Sequence, residues 1–286
     1  MPDSVDAGAG APIAAALVAV VRDHAAELSA IDGAIGDGDH GVNMSKGFGL
    51  AAERLGSRQV SVSEALGTIG HTLLADVGGA MGPLYGTFFL EMAAASADAE
   101  RIDATTLERM LDAGVEAVLD LGGARVGDKT LIDVMVPARD AFHDALAAGG
   151  SFEFALDAMS QAADKGKEST RDLVARVGRA SRLGERSRGV LDAGATSCAL
   201  ILAALAGALR TLLSGEAIPA TSHRRASGAG SNQHRGPRPQ FSCRVLPQAS
   251  DRGAQTTSEE DLHGPGLLRS PDQLNFEPGL GEQPDS

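Results

Sequence analysis

The chain has 286 residues, with 38 acidic against 25 basic side chains and a formal net charge of -13 at pH 7. That length suits one large domain or two modest ones with a substantial core, while the acidity argues against a nucleic-acid backbone or an anionic membrane surface as partner. Two distant cysteines, Cys198 and Cys243, form neither a disulfide framework nor a C-x-x-C pattern, so a reducing cytoplasm is the default compartment.

Aromatic residues are 3% of the chain, with no Trp and one Tyr, Tyr85. The core must therefore come from Leu, Val, Ile, Ala and Met, which suits close-packed helices better than a β-sandwich. The start, MPDSVDAGAG, lacks the basic opening of a secretory signal. Hydrophobic periodicity then predicts about eight helices. The first runs over 12–28, with Ile13, Leu17, Val20, Val21 and Leu28 near one face. The second starts near Val42 and ends before Gly56. The third opens on Ser61-Val62-Ser63-Glu64, a capping-box spacing in which the Ser oxygen and the Glu carboxylate satisfy free N–H groups. The fourth, over 83–95, carries Leu84, Phe88 and Met92 at helical spacing. The fifth opens on a second such box, Thr105-Thr106-Leu107-Glu108. The sixth places Leu131, Met135, Ala138, Phe142 and Leu146 on one stripe, the seventh spans 152–177 and the eighth 195–213. No segment of comparable length alternates with period two, so the fold is expected to be all-α. The longest apolar run, Cys198 to Leu209, is too short to span a bilayer. Residues 11 to about 214 read as one compositional unit, which gives a domain over 1–217. From about Thr221 the prolines multiply, lysine disappears and periodicity stops, so 218–286 reads as a disordered tail.

The connections fall into two kinds. Those after the second, fourth and sixth helices hold ordinary caps and turns. Those after the first, third, fifth and seventh read SAIDGAIGDGDHGVNM, DVGGAMGPLYG, LGGARVGDKT and VGRASRLGERSRGVLDAGATS. Short connections make consecutive helices antiparallel, so alternate loops share one end. Four glycine-rich loops then converge at one mouth, where backbone N–H groups can approach a ligand closely.

The first of these loops holds Asp32, Asp37 and Asp39. Three acids on one tight turn repel unless something neutralises them, and a hard divalent cation is the natural neutraliser. An EF-hand calcium loop does not fit, because Phe48 stands where its twelfth-position Glu belongs. Asp39 as a helix cap explains one acid, not three. His40 follows directly, and Asn43 sits on the first helical turn, where N–H groups face anions. The segment Gly122 to Thr130 resembles a phosphate loop, but Asp128 intrudes between Gly127 and Lys129 and no strand precedes it, so that nucleotide fold is rejected. Two readings of Lys129 stay open: a phosphate contact, or an ordinary solvated lysine at a helix start. Arg179, Arg182, Arg186 and Arg188 can match phosphate oxygens, although surface ion pairs with Glu185 and its neighbours account for most of them.

The segments IGDGDHGVNMSKGF, GGAMGPLYGTFF, GDKTLIDVMVPA and GRASRLGERSRGVLDAGATS, in this order and spacing, resemble the nucleotide-binding L subunit (DhaL type) of dihydroxyacetone kinase over 12–213. The related fatty-acid kinase domain usually reads PDGDTG at the first motif, and GDGDHG favours the dihydroxyacetone branch. The resemblance implies a closed barrel of eight antiparallel amphipathic helices with ATP or ADP at one rim. By motif position, Asp32, Asp37 and Asp39 would hold two magnesium ions (Mg2+), and with Arg179 would form the catalytic set. His40, Gly41, Val42, Asn43, Ala80, Met81, Gly122, Leu131, Arg179, Asp192, Ala193 and Gly194 would line the nucleotide. The implied partner is a K subunit that holds dihydroxyacetone on a histidine. A phosphocarrier protein that recharges ADP and a second copy of the chain are further candidates. A non-catalytic nucleotide-sensing regulator, or a kinase subunit for another small ketose or polyol, are the alternatives. The family usually has Ser where Met81 stands and often Pro where Ala193 stands. Both departures bear on nucleotide affinity.

Overall fold

The computed structural model describes residues 3–215. The tail predicted over 218–286 lies outside them. Among the described residues the order is β1 (Ser4–Asp6), α1 (Gly10–Asp23), α2 (Ala25–Ile35), α3 (His40–Leu55), α4 (Val62–Asp76), α5 (Met81–Ala95), β2 (Arg101–Asp103), α6 (Ala104–Gly122), α7 (Ile132–Ala147), α8 (Phe152–Ser169) and α9 (Ala193–Leu213), with 3-10 turns over Thr170–Asp172 and Ala180–Ser187.

The helical reading holds, with local differences that have physical causes. The first predicted helix is two: His24 leaves helical geometry, with φ -102° and ψ 8°, and its Nδ1 lies 2.9 Å from the Val20 carbonyl, a side-chain contact that competes with the backbone. The chain then resumes helix as far as Ile35, which carries Asp32 on its last turn. Ser61 caps α4 by accepting from the Glu64 N–H at 3.0 Å. The Glu64 carboxylate does not close the box, because it pairs with Arg58 at 2.8 Å. At α6 the cap is Asp103, accepting from the Thr106 N–H at 2.8 Å, so the Thr105 box is not used. α8 stops at Ser169, not at 177, and passes into a 3-10 turn whose Thr170 carbonyl accepts from both the Leu173 N–H and Lys129 Nζ.

A two-stranded ribbon was not expected. β1 pairs antiparallel with β2, Val5 opposite Ile102, and both are buried. Three-residue strands are too short to show a period. The ribbon ties the start of the chain to the α5–α6 connection.

Neighbouring helices pack side by side, α3 on α4, α4 on α5, α5 on α6, α7 on α8 and α8 on α9. α9 also packs on α1, which lies against α3 and α4. One core runs through them. Phe88 and Phe89 meet edge-on at 5.3 Å, Phe89 and Phe48 at 5.9 Å, a favourable ring geometry. α9 is long and apolar enough to cross a membrane by length and composition, yet 61% of its apolar window is buried inside the protein, as in a core helix.

Candidate functional site: an acidic cavity at the helix ends

The four glycine-rich connections do converge. They surround a cavity of about 500 Å³, within the range of small-molecule sites. Its walls come from the α2–α3 loop, the start of α5, the α6–α7 loop, the segment before Ala180–Ser187 and the start of α9.

The acids sit at its edge. Ligand oxygens of Asp32, Asp37 and Asp39 all lie within 4.8 Å of one another. Local backbone makes this possible. A Cβ on Gly36 would lie 2.4 Å from Asp32 Oδ1, and one on Gly41 would lie 1.9 Å from the Ala25 carbonyl, so only glycine lets α2 close onto the first turn of α3. Asp32 Oδ2 accepts from the His40 N–H at 3.3 Å. Asp39 precedes α3 but its carboxylate makes no capping hydrogen bond. That leaves its oxygens for something else. Asp37 is ion-paired with Arg179. An all-oxygen donor set this close fits a hard divalent cation.

Of the residues singled out in the sequence, Asp32, Asp37, Asp39, His40, Asn43, Ala80, Met81, Gly122, Leu131, Arg179, Asp192, Ala193 and Gly194 line the cavity. Gly41 and Val42 do not: Gly41 is buried beneath α2, and Val42 is 64% exposed over a separate shallow groove. Arg188 pairs with Glu185 at 3.1 Å, the ordinary surface role read for most of these arginines. Ala193 is the first residue of α9, whose cap is intact without proline: Asp192 accepts from the Ala195 N–H at 2.7 Å.

Several wall residues escaped the sequence reading. Leu84, Leu121 and Val177 add an apolar side, but nothing distinguishes them in sequence from core or surface residues. Lys129 also lines the cavity, but it is not the solvated lysine of the second reading. It is 1% exposed with a backbone φ of 63°, and its ammonium donates to the carbonyls of Thr170 and Val190. It therefore ties the α6–α7 loop to the end of α8 and the approach to α9. Asp133 works beside it: its carboxylate accepts from the N–H groups of Gly127 at 2.5 Å and Thr130 at 2.7 Å. Burial pulls the Lys129 ammonium below its ordinary pKa, opposed by Asp192. Burial pushes Asp192 up to about 6, against the cap hydrogen bond from Ala195 and the charge of Lys129. Burial also lowers His40, against the pull of Asp32.

The sequence matches the DAK2 domain over residues 34–207. The chain belongs to the DAK2 domain family. This DAK2 protein is 41% identical over 186 residues to the PEP-dependent dihydroxyacetone kinase 1, ADP-binding subunit DhaL, of Listeria innocua, covering 65% of this chain and 88% of that one. It is 41% identical over 180 residues to the ADP-binding subunit DhaL of the PEP-dependent dihydroxyacetone kinase of Escherichia coli, covering 63% and 86%. The crystal structure of the dihydroxyacetone kinase from C. freundii in complex with AMP-PNP and Mg2+ resembles it with a TM-score of 0.53 at 26% identity, over 69% of this chain and 33% of that chain. The DAK2 protein thus spans about a third of that longer kinase.

Proposed function

We propose that this DAK2 protein is the nucleotide-binding subunit of a dihydroxyacetone kinase. It delivers a phosphoryl group from a magnesium-bound nucleotide to dihydroxyacetone held on a separate K subunit. The observation that carries this reading is the convergence of Asp32, Asp37 and Asp39 within 4.8 Å on a cavity shared with Arg179 and the start of α3. Residues 1–217 make up the nucleotide-binding domain. Packing of α9 on both α1 and α8 supports closure of the helices into a barrel.

Asp32, Asp37 and Asp39 would hold two magnesium ions, which supply charge neutralisation at the phosphates and in-line orientation. The chain's own groups do the rest. Arg179 is held at the triad by Asp37, where its guanidinium faces developing phosphate charge. The first turn of α3 offers backbone N–H groups beside Asn43. Leu84, Leu121 and Val177 line the apolar side. Gly41 and Val42 contribute through their backbone alone. The names of the relatives of similar length favour ADP that stays bound and is recharged by a phosphocarrier. The acceptor is held by the partner subunit, and 34% identity to the D-erythrulose kinase of Mycolicibacterium smegmatis over 218 residues supports a second ketose as the alternative substrate.

The test is reconstitution. Purified protein is mixed with a candidate K subunit, dihydroxyacetone, and either ATP or a phosphoenolpyruvate-fed phosphocarrier. Phosphorylated dihydroxyacetone is expected with the phosphocarrier. No product with either donor, together with no magnesium-dependent ADP binding, would overturn the reading.

A further inference from the structure

Between α8 and α9 the chain leaves the helices as a flap over 170–192 and returns. Hydrogen bonds cross between its two arms at successive points. At the base, Lys129 Nζ donates to the carbonyls of Thr170 on the outgoing arm and Val190 on the returning one. Next, the Gly189 N–H donates to the Arg171 carbonyl at 2.7 Å, and the Arg188 guanidinium donates to the Asp172 carbonyl. Furthest out, the Ser187 hydroxyl accepts from the Ala175 N–H at 2.9 Å and donates to the Gly184 carbonyl at 2.7 Å. Of these crossings it stands nearest Arg179 in the chain. Ser187 is fully buried and Ala175 is buried with it, yet Ser187 is not itself on the cavity wall. The stretch beyond it carries Val177, Gly178, Arg179 and Ala180, which are on that wall, and there Arg179 pairs with Asp37.

One hydroxyl thus sets both ends of the stretch that presents Arg179. The bond it accepts fixes Ala175, just before that stretch. The bond it donates fixes Gly184, just after it, where a φ of 53° takes the chain out of its 3-10 turn. A serine oxygen has one proton to give and lone pairs to accept with, so it makes both bonds at once, and alanine makes neither. A buried N–H without its acceptor is costly. The least costly relief is for the flap to open to water while the helices stay folded, which takes Arg179 away from the acids. We propose that Ser187 is a positioning residue: its hydroxyl clasps the two arms of the flap and so holds the Arg179 guanidinium beside Asp37 at the cavity. The clasp is a property of the free protein. Only its consequence rests on the nucleotide reading: an unclasped Arg179 is no longer preset where phosphate binds.

The test follows Arg179 itself. Ligand-free full-length protein is labelled with nitrogen-15 in its arginine side chains, and the Arg179 Nε–H signal is assigned as the one that disappears in Arg179→Gln. Urea-unfolded protein gives the position of an unheld guanidinium. Ser187→Ala is expected to move the Arg179 signal towards that position, while Arg54 and Arg139, ion-paired elsewhere, keep theirs. An unmoved Arg179 signal, or equal movement of all three, would overturn the proposal. Titration calorimetry with magnesium and ADP adds a double-mutant cycle. Ser187→Ala is expected to weaken ADP binding about fivefold alone and less than about twofold when Arg179 is already Gln. The same factor in both backgrounds would show that Ser187 does not act through Arg179. If Ser187→Ala does not fold, hydrogen exchange of the wild type decides: the Ala175 N–H should exchange about tenfold or more slowly than the amides of 178–181, and equal rates refute the clasp. A wild type that binds no ADP counts against the proposed function alone, since the arginine signals and exchange rates are read without it.

Discussion

Replacing Lys129 with Met separates a lysine that builds the rim from one that serves a phosphate. Met keeps nearly the same length and apolar volume, and inherits the same left-handed backbone, so strain at φ 63° cancels in the comparison. What disappears is the ammonium that donates to the carbonyls of Thr170 and Val190. The Thr170 carbonyl keeps the Leu173 N–H as a donor at 3.3 Å, so the Val190 carbonyl is the acceptor left without its donor, at about 1–3 kcal/mol. Relief of the desolvation cost of a buried charge returns part of that. A net loss of about 1–2 kcal/mol lowers the melting temperature by roughly 2–8 °C for a domain of this size. Differential scanning calorimetry without nucleotide reads the shift, and isothermal titration with magnesium and ADP on the same sample reads affinity. A variant that melts like the wild type yet no longer binds ADP would place the amine on a phosphate and refute the reasoning.

Asp37→Asn removes one of three charges from the triad and frees Arg179 from its ion pair. Magnesium and ADP binding should weaken together by about tenfold or more, and equal ADP affinity with and without a chelator would count against a shared site. Asp192→Asn keeps a capping side chain for α9 but deletes the buried charge. Asp192 binds its proton more tightly in the folded chain, at about 6, than at its ordinary 3.8. Its contribution to stability is therefore greatest below that ordinary value and declines as pH rises through 6. The melting temperature of Asp192→Asn should gain on the wild type between pH 4 and pH 7; a gap that stays constant across that window contradicts the assignment. Met81→Ser puts a hydroxyl at the first residue of α5 on the cavity wall. One added hydrogen bond is worth about 1 kcal/mol, so calorimetry should find ADP bound about fivefold tighter.

Much of the fold was legible because helical spacing of Leu, Ile, Val and Met is a local signal. Apolar stripes over 62–76, 132–147 and 152–169 appear wherever one face of a helix is buried. The ends were less legible, because competing groups elsewhere set them: Asp103 outcompetes Thr105 as a cap, and Arg58 takes the Glu64 carboxylate. Grouping of Asp32, Asp37 and Asp39 was visible because they fall close together in sequence, Asp32 on the last turn of α2 and the other two on the glycine-punctuated turn that follows.

By itself, then, the order of residues determined the helices, the clustered acids and the shared end of the four loops, since these follow from nearest-neighbour sterics, charge repulsion and alternation along the chain. Tertiary structure alone decided what Lys129 and Ser187 do. A lysine in a glycine-containing loop reads identically whether its amine meets water, a phosphate or two carbonyls. Ser187 sits between two arginines and stands 12 positions from Ala175. Only the folding back of the segment between α8 and α9 brings its hydroxyl onto that N–H and removes the water that would otherwise satisfy both.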